Sequence, residues 1–192
     1  EPAVGAAVSV SCVPNGTGTC VVTVTGSLQV TASFVLKQFT LTVMRTGAGA
    51  GAITSAPAGI NCGADCTELY DVGTMVVLTA APTVDSLFQG WSGGGCLGTG
   101  SCAVTIAGAT TVSANFAQIV HTLNVVRAGT GSGTVTSSPA GITCGADCNQ
   151  DYAQGTMVTL TATPNAGSSF TGWSGGGCAG TGTCTLTMAA AT

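Results

Sequence analysis

The sequence predicts an all-β chain of tandem 82-residue repeats, each a small antiparallel β-sandwich or grasp-like sheet stapled by disulfides. Three observations predict this. FQGWSGGGCLGTGSC at 88–102 returns as FTGWSGGGCAGTGTC at 170–184, 82 positions on, with nothing inserted or deleted. Apolar residues alternate with Thr, Ser and Asn in short runs separated by Gly and Pro, and no segment sustains a helical period. The ten cysteines, an even number, recur in register, as in small domains of an oxidising compartment whose cores need staples.

Placing position n over n + 82 aligns LTV at 41–43 with LNV at 123–125, and SAPAGINCGADC at 55–66 with SSPAGITCGADC at 137–148. Tyr70 meets Tyr152, and GTMVVLTAAP at 73–82 meets GTMVTLTATP at 155–164. The frame also runs backwards, GTGTCVVTVTGSLQVTASF at 16–34 matching GTGSCAVTIAGATTVSANF at 98–116. The expected domains are therefore a partial repeat at 1–36, a complete repeat at 37–118 and, at 119–192, a repeat lacking its last strand. That last repeat ends at the equivalent of Thr110, without a counterpart of TVSANF at 111–116, while QVTASF at 29–34 is a surplus segment of the same type. The joins at Lys37–Gln38 and Ile119–Val120 are too short and apolar for flexible linkers, so the repeats are expected to stack rigidly.

Six strands per repeat follow from the alternation, at 39–45, 50–56, 74–81, 86–91, 101–106 and 110–116. Val76, Leu78 and Ala80 alternate with Val77 and Thr79, and position 77 becomes Thr159 in the next repeat, which marks the wet face. Val104 and Ile106 alternate with Ala103 and Thr105; Val112, Ala114 and Phe116 alternate with Ser113 and Asn115. Residues 64–70 are expected to form one turn at most. Trp91 and Trp173 are expected in the core beside Phe88 and Phe170, the competing use being to stack on a sugar ring.

The partial repeat indicates the cysteine pairing. It holds Cys12 and Cys20, the analogues of Cys96 and Cys102, but no CGADC, so those two must satisfy each other. By analogy Cys96 pairs with Cys102 and Cys178 with Cys184, which leaves Cys62–Cys66 and Cys144–Cys148. Zinc fits less well, since the CxxxC spacing has no nearby histidine and the partial repeat offers half the ligands.

Charge narrows the functions. Lys37, Arg45 and Arg127 are the three basic residues, too few and too scattered for nucleic acid or a polybasic membrane contact. No apolar run approaches the ~20 residues of a transmembrane helix, and so little charge favours association. His121, the one histidine, sits where the other repeat has Phe39, which suits a packing residue at the repeat boundary better than a catalytic base. With every cysteine partnered and GWSGGG lacking the GK[ST] end of a phosphate loop, no catalytic constellation emerges and no enzyme is expected. The acidic residues cluster at Asp65, Glu68 and Asp71 and again at Asp147 and Asp151. Ca²⁺ is the cofactor such loops would suit, against the plainer role of Asp in capping a turn.

SSPAGITCGADC, GTMVTLTATP and FTGWSGGGCAGTGTCTLTM, completed in the preceding repeat by TVSANF, together resemble the divergent InlB B-repeat family, a bacterial domain found in tandem on secreted and cell-surface proteins. The likeness covers residues 16–192. It implies an extracellular, non-catalytic β module of adhesins, stalks and surface layers, with no catalytic residues to carry over. The out-of-frame start and end depart from a simple array of such modules. They point to a secreted structural subunit that forms fibres with itself, head to tail, the last repeat exposing an unpaired edge. Gln29, Val30, Thr31, Ala32, Ser33 and Phe34 are then the assembly strand. The alternative is an adhesin or glycan-binding fragment of a longer surface array.

Overall fold

The computed structural model describes residues 26–27, 29–31 and 33–189. The expected Cys12–Cys20 pair and Ala32 of the assembly strand lie outside them. The chain divides into two compact units, Glu1–Lys37 and Gln38–Thr192. None of the described residues of the first unit is in a strand.

The second unit is all β and holds both longer repeats. Repeat one runs β1 (Gln38–Thr46), β2 (Gly51–Ala56), β3 (Asn61–Cys62), β4 (Thr67–Asp71), β5 (Met75–Pro82), β6 (Ser86–Ser92), β7 (Cys102–Thr105) and β8 (Thr110–Gln118). These form two four-stranded sheets, β4-β1-β8-β6 and β3-β2-β5-β7. The sheets share one core. Leu41, Val43, Val112, Ala114 and Phe116 come from the first, and Ile53, Val76, Leu78 and Val104 from the second, all at alternate positions. The dry face is the Val76/Leu78 side, as the Val77→Thr159 exchange indicates.

Three features depart from the expectation, the first being the two-residue strand β3, which pairs with β2 and was not among the six strands expected. Residues 67–71 are a strand, β4, where at most a turn was expected. Asn61 O accepts the N–H groups of Ala64 and Asp65, and Asp65 Oδ1 accepts Thr67 N–H at 3.2 Å, so a tight turn launches an extended segment directly. That segment pairs with β1 and buries Tyr70. In addition, β1 and β8 run parallel, the one parallel pair in otherwise antiparallel sheets among the described residues.

A polar tie crosses each repeat. Ser55 Oγ accepts Ile60 N–H at 2.9 Å and lies 2.8 Å from the Tyr70 hydroxyl, which reaches Pro57 O at 3.3 Å. Ser137, Ile142, Tyr152 and Pro139 repeat it with distances of 2.9, 2.7 and 3.3 Å. Ser55→Ala or Ser137→Ala strands the amide of Ile60 or Ile142 and leaves the buried phenol just its longer bond to the proline carbonyl. Each should cost about 1–3 kcal/mol in chemical denaturation, and a loss indistinguishable from zero would show that water replaces the hydroxyl.

Repeat two runs β9 (Val120–Asn124), β10 (Gly133–Ser138), β11 (Thr143–Cys144), β12 (Asn149–Ala153), β13 (Met157–Pro164) and β14 (Cys184–Thr187). Its second sheet is complete, β11-β10-β13-β14, but its first is the pair β12-β9. The repeats are joined through Ile119, whose N–H donates to Asp85 O at 2.8 Å and whose carbonyl accepts Gln154 N–H. Gln154 Nε2 also donates to Val84 O at 3.1 Å. The Thr83 hydroxyl, donating to Asp85 at 2.6 Å, and the residue's own N–H hold the Asp85 carboxyl below its ordinary value. A lowered carboxylate supports the folded loop at neutral pH, and that support fades as pH falls through the folded-state value.

Candidate functional site

The groups that could act lie around strand β8. In repeat one β8 sits inside its sheet, parallel to β1 (Leu41 opposite Thr110 through Thr46 opposite Asn115) and antiparallel to β6 (Ser86 opposite Gln118 through Ser92 opposite Ser113). Val112, Ala114 and Phe116 are fully buried, and the Phe116 ring lies 5.2 Å from that of Phe88. The β6–β8 register slips between Phe88 and Gly90, a bulge that requires glycine: Gly90 has φ +135°, and a Cβ there would stand 2.9 Å from Gly98 O.

The far end of β8 meets a GxGxG loop that leads from β1 into β2. Gly49 N–H donates to Phe116 O at 2.8 Å. A Cβ on Gly47 would stand 2.1 Å from Phe116 O, on Gly49 2.6 Å from the Ala117 backbone, and on Gly51 2.3 Å from the Phe116 ring. Arg45 ties the loop through Nη1 to Gly51 O at 3.1 Å, and Arg127 does the same to Gly133 O at 2.9 Å. The loop was not singled out from the sequence; its signal was GAGAG at 47–51 returning as GTGSG at 129–133.

Among the described residues, repeat two has no strand in the place that β8 takes in repeat one. Its β9 ends at Asn124, whereas β1 continues to Thr46, because residues 43–46 of β1 are paired by β8. Residues 168–172 form no strand, whereas the equivalent 86–90 lie within β6, and Trp173 makes just an isolated bridge to Gly180. Leu123 and Trp173 are half-buried where Leu41 and Trp91 are buried, while Phe170 is half-buried as Phe88 is. Among the described residues β9 pairs with β12 alone, so the sheet has no strand in the place that β8 takes between β1 and β6.

In the first unit, Val30 is 52% exposed and Phe34 92% exposed. Gln29, Val30, Thr31, Ser33 and Phe34 take no regular structure, and they align with Thr111, Val112, Ser113, Asn115 and Phe116 of β8.

In each repeat the glycine-rich motif forms a closed hairpin. Trp91 is 4% exposed and packs edge-on against Phe88 at 5.1 Å, and its Nε1 donates to Gly100 O at 2.7 Å. Trp173 repeats this with Phe170 at 5.0 Å and Gly182 O at 2.7 Å. Cys96–Cys102 and Cys178–Cys184 close these hairpins, and Cys62–Cys66 and Cys144–Cys148 close the CGADC turns, as the partial repeat indicated. The divergent InlB B-repeat domain matches twice, at residues 41–120 and 123–192. The chain belongs to the divergent InlB B-repeat family. No curated protein and no solved structure matches it significantly.

B-repeats are structural or surface domains of bacterial proteins, and this chain is accordingly a bacterial surface repeat protein. No described helix is long and apolar enough to cross a membrane. Trp91 is buried, as expected of a core residue, whereas Trp173, expected in the core as well, is half-buried. His121 pairs across β9–β12 with Tyr152, and its Nε2 lies 3.3 Å from Gln154 Oε1, beside the repeat junction.

The acidic side chains each have a local partner. Asp147 Oδ1 accepts Asn149 N–H at 3.1 Å, matching Asp65, and Glu68 Oε1 accepts Leu69 N–H at 3.0 Å. Asp71 accepts from Gln38 at 3.0 Å and Asp151 from the Thr122 hydroxyl at 2.5 Å. Among the described residues no three His, Cys, Asp or Glu side chains gather where they could hold a metal ion.

Proposed function

We propose that this B-repeat protein is a non-catalytic extracellular structural subunit that joins copies of itself head to tail. Gln29–Phe34 of one copy becomes the missing central strand of repeat two in the next. One observation carries this: a segment exposing Val30 and Phe34 repeats, position for position, the strand whose Val112 and Phe116 are fully buried in repeat one. Strand addition supplies backbone hydrogen bonds along both sides of the added strand, and alternate side chains give selectivity. Donor and acceptor differ, so each added copy presents a fresh acceptor and growth is open-ended. The sparse charge opposes association weakly.

Calcium is part of the proposal as a rigidifier. Two of the three basic residues, Arg45 and Arg127, are bonded to glycine carbonyls, so the loops carrying Asp65, Glu68, Asp71, Asp147 and Asp151 gain little neutralisation from them.

Electron microscopy of the intact chain and of a chain lacking residues 1–36, each with and without a calcium chelator, tests both parts. Fibres from the intact chain and monomers from the truncated one are expected. Fibres formed normally without residues 1–36 would sink strand donation, and fibres indifferent to chelation would remove calcium.

A further inference from the structure

We propose that Gln154 is the positioning residue of the repeat junction: its side-chain amide fastens repeat two directly to the turn before β6 in repeat one and so fixes the angle between the repeats. The inference stands apart from strand addition and concerns a single copy of the chain. One residue, Ile119, links β8 to β9. Its N–H donates to Asp85 O of repeat one, and its carbonyl accepts Gln154 N–H of repeat two. Both rotatable dihedrals of Ile119 lie between those two bonds, so the bonds tie each repeat to the link and leave the link free to turn. The Gln154 side chain bypasses that pivot, its Nε2 donating to Val84 O at 3.1 Å.

Both ends of the amide are held. The turn that presents Val84 O is closed by Ser86 N–H donating to Thr83 O at 3.0 Å, and Thr83 N–H anchors it to Ala50 O at 3.0 Å. A carbonyl can only accept, so Val84 O requires the NH₂ end of the amide, which leaves Oε1 facing His121 Nε2 at 3.3 Å. His121 Nε2 therefore carries a proton. A flipped amide would set oxygen against oxygen at Val84, so the histidine, placed by the β9–β12 ladder opposite Tyr152, keeps the amide turned the right way. Repeat one shows that a repeat folds without this clasp. Val72 and Phe39 stand at the positions of Gln154 and His121, and neither side chain can hydrogen-bond. The turn after β4 nevertheless matches the turn after β12. Thr74 N–H donates to Asp71 O and Gly73 N–H to Ile106 O, as Thr156 N–H does to Ala153 O and Gly155 N–H to Met188 O. The glutamine side chain thus serves the junction, and valine at 154 would copy a repeat that folds.

Three full-length chains test this, each carrying Phe34→Ala so that assembly does not intervene: the parent, Gln154→Val and Gln154→Glu. Glutamate keeps an acceptor for His121 and loses the donor to Val84 O. Residual dipolar couplings of the backbone amides report how each repeat aligns. In the parent both repeats should fit one alignment tensor. In either variant repeat two should need a tensor of its own, of different magnitude, while melting stays within about 4 °C of the parent. At about pH 8.5, where an ordinary imidazole is neutral, the ring-nitrogen shifts of the one histidine give a second readout. They should place the proton on Nε2 in the parent and in Gln154→Glu, and show mixed tautomers in Gln154→Val. Separate tensors in the parent, a single tensor kept in either variant, or a parent proton on Nδ1 would each overturn the inference. So would a far larger melting loss in Gln154→Val, which would make the glutamine part of the fold of repeat two instead.

Discussion

Phe116→Ala should cost repeat one about 3–5 kcal/mol, while Phe34→Ala should leave the melting of both longer repeats unchanged and abolish assembly. The two phenylalanines occupy the same register of the same strand sequence. Phe116 is fully buried, touches Phe88 and lies on Gly51, so truncating it opens a cavity that a glycine floor cannot refill. At roughly 4–8 °C per kcal/mol for a domain of this size, its melting temperature should fall by about 15 °C or more. Phe34 is almost wholly exposed, and an exposed truncation changes folding stability by about 0.5 kcal/mol at most. Calorimetry paired with sedimentation at two concentrations reads both effects. Equal thermal losses in the two variants would mean that Phe34 is already part of a core in the monomer, and would count against its being a donor.

Under a reductant, repeat two should unfold well before repeat one. Each staple closes a loop with a sequence separation of 4 or 6. Loops that short are worth about 2 kcal/mol each by chain entropy, hence about 4 kcal/mol for the two in one repeat. A repeat of about 80 residues has on the order of 4–12 kcal/mol in total, so losing both staples matters most where the core is small. Sixteen buried residues form the core of repeat one and nine that of repeat two, among the described residues. The difference is the layer that β8 and its partner strand complete. Hydrogen exchange with and without reductant should therefore show protection lost first in β9 to β14, and simultaneous loss across both repeats would contradict it. Supplying that layer by assembly should bring the protection of repeat two up towards that of repeat one.

Much of this was legible in the sequence because it is local or repeated. Alternation along 76–80 and 112–116 marked the dry face correctly, since side chains on a strand change sides at every residue. Cys62–Cys66 and Cys96–Cys102 were accessible because short loops leave few alternatives and the partial repeat isolates one pair. Tyr70 and Ser55, matched by Tyr152 and Ser137, had a repeat signature that went unused. Strand β4 was missed because TELYD shows no clean alternation and takes its shape from pairing with β1. The GxGxG loop carried no side-chain chemistry to notice; its meaning is the space above it.

The sequence by itself determined the repeat frame, the strands with a dry face, the disulfide pairs and the family. Each depends on spacing along the chain, which sequence records directly. The tertiary structure alone decided that β8 runs parallel to β1 and is inserted between β1 and β6. Sheet order is set by pairing across long loops, such as Leu41 with Thr110, and by burial on both sides at once, which local periodicity does not encode. Where repeat one holds β8 in that place, the described residues of repeat two hold no strand, and it is on this order that the proposed donation of Gln29–Phe34 from another copy rests.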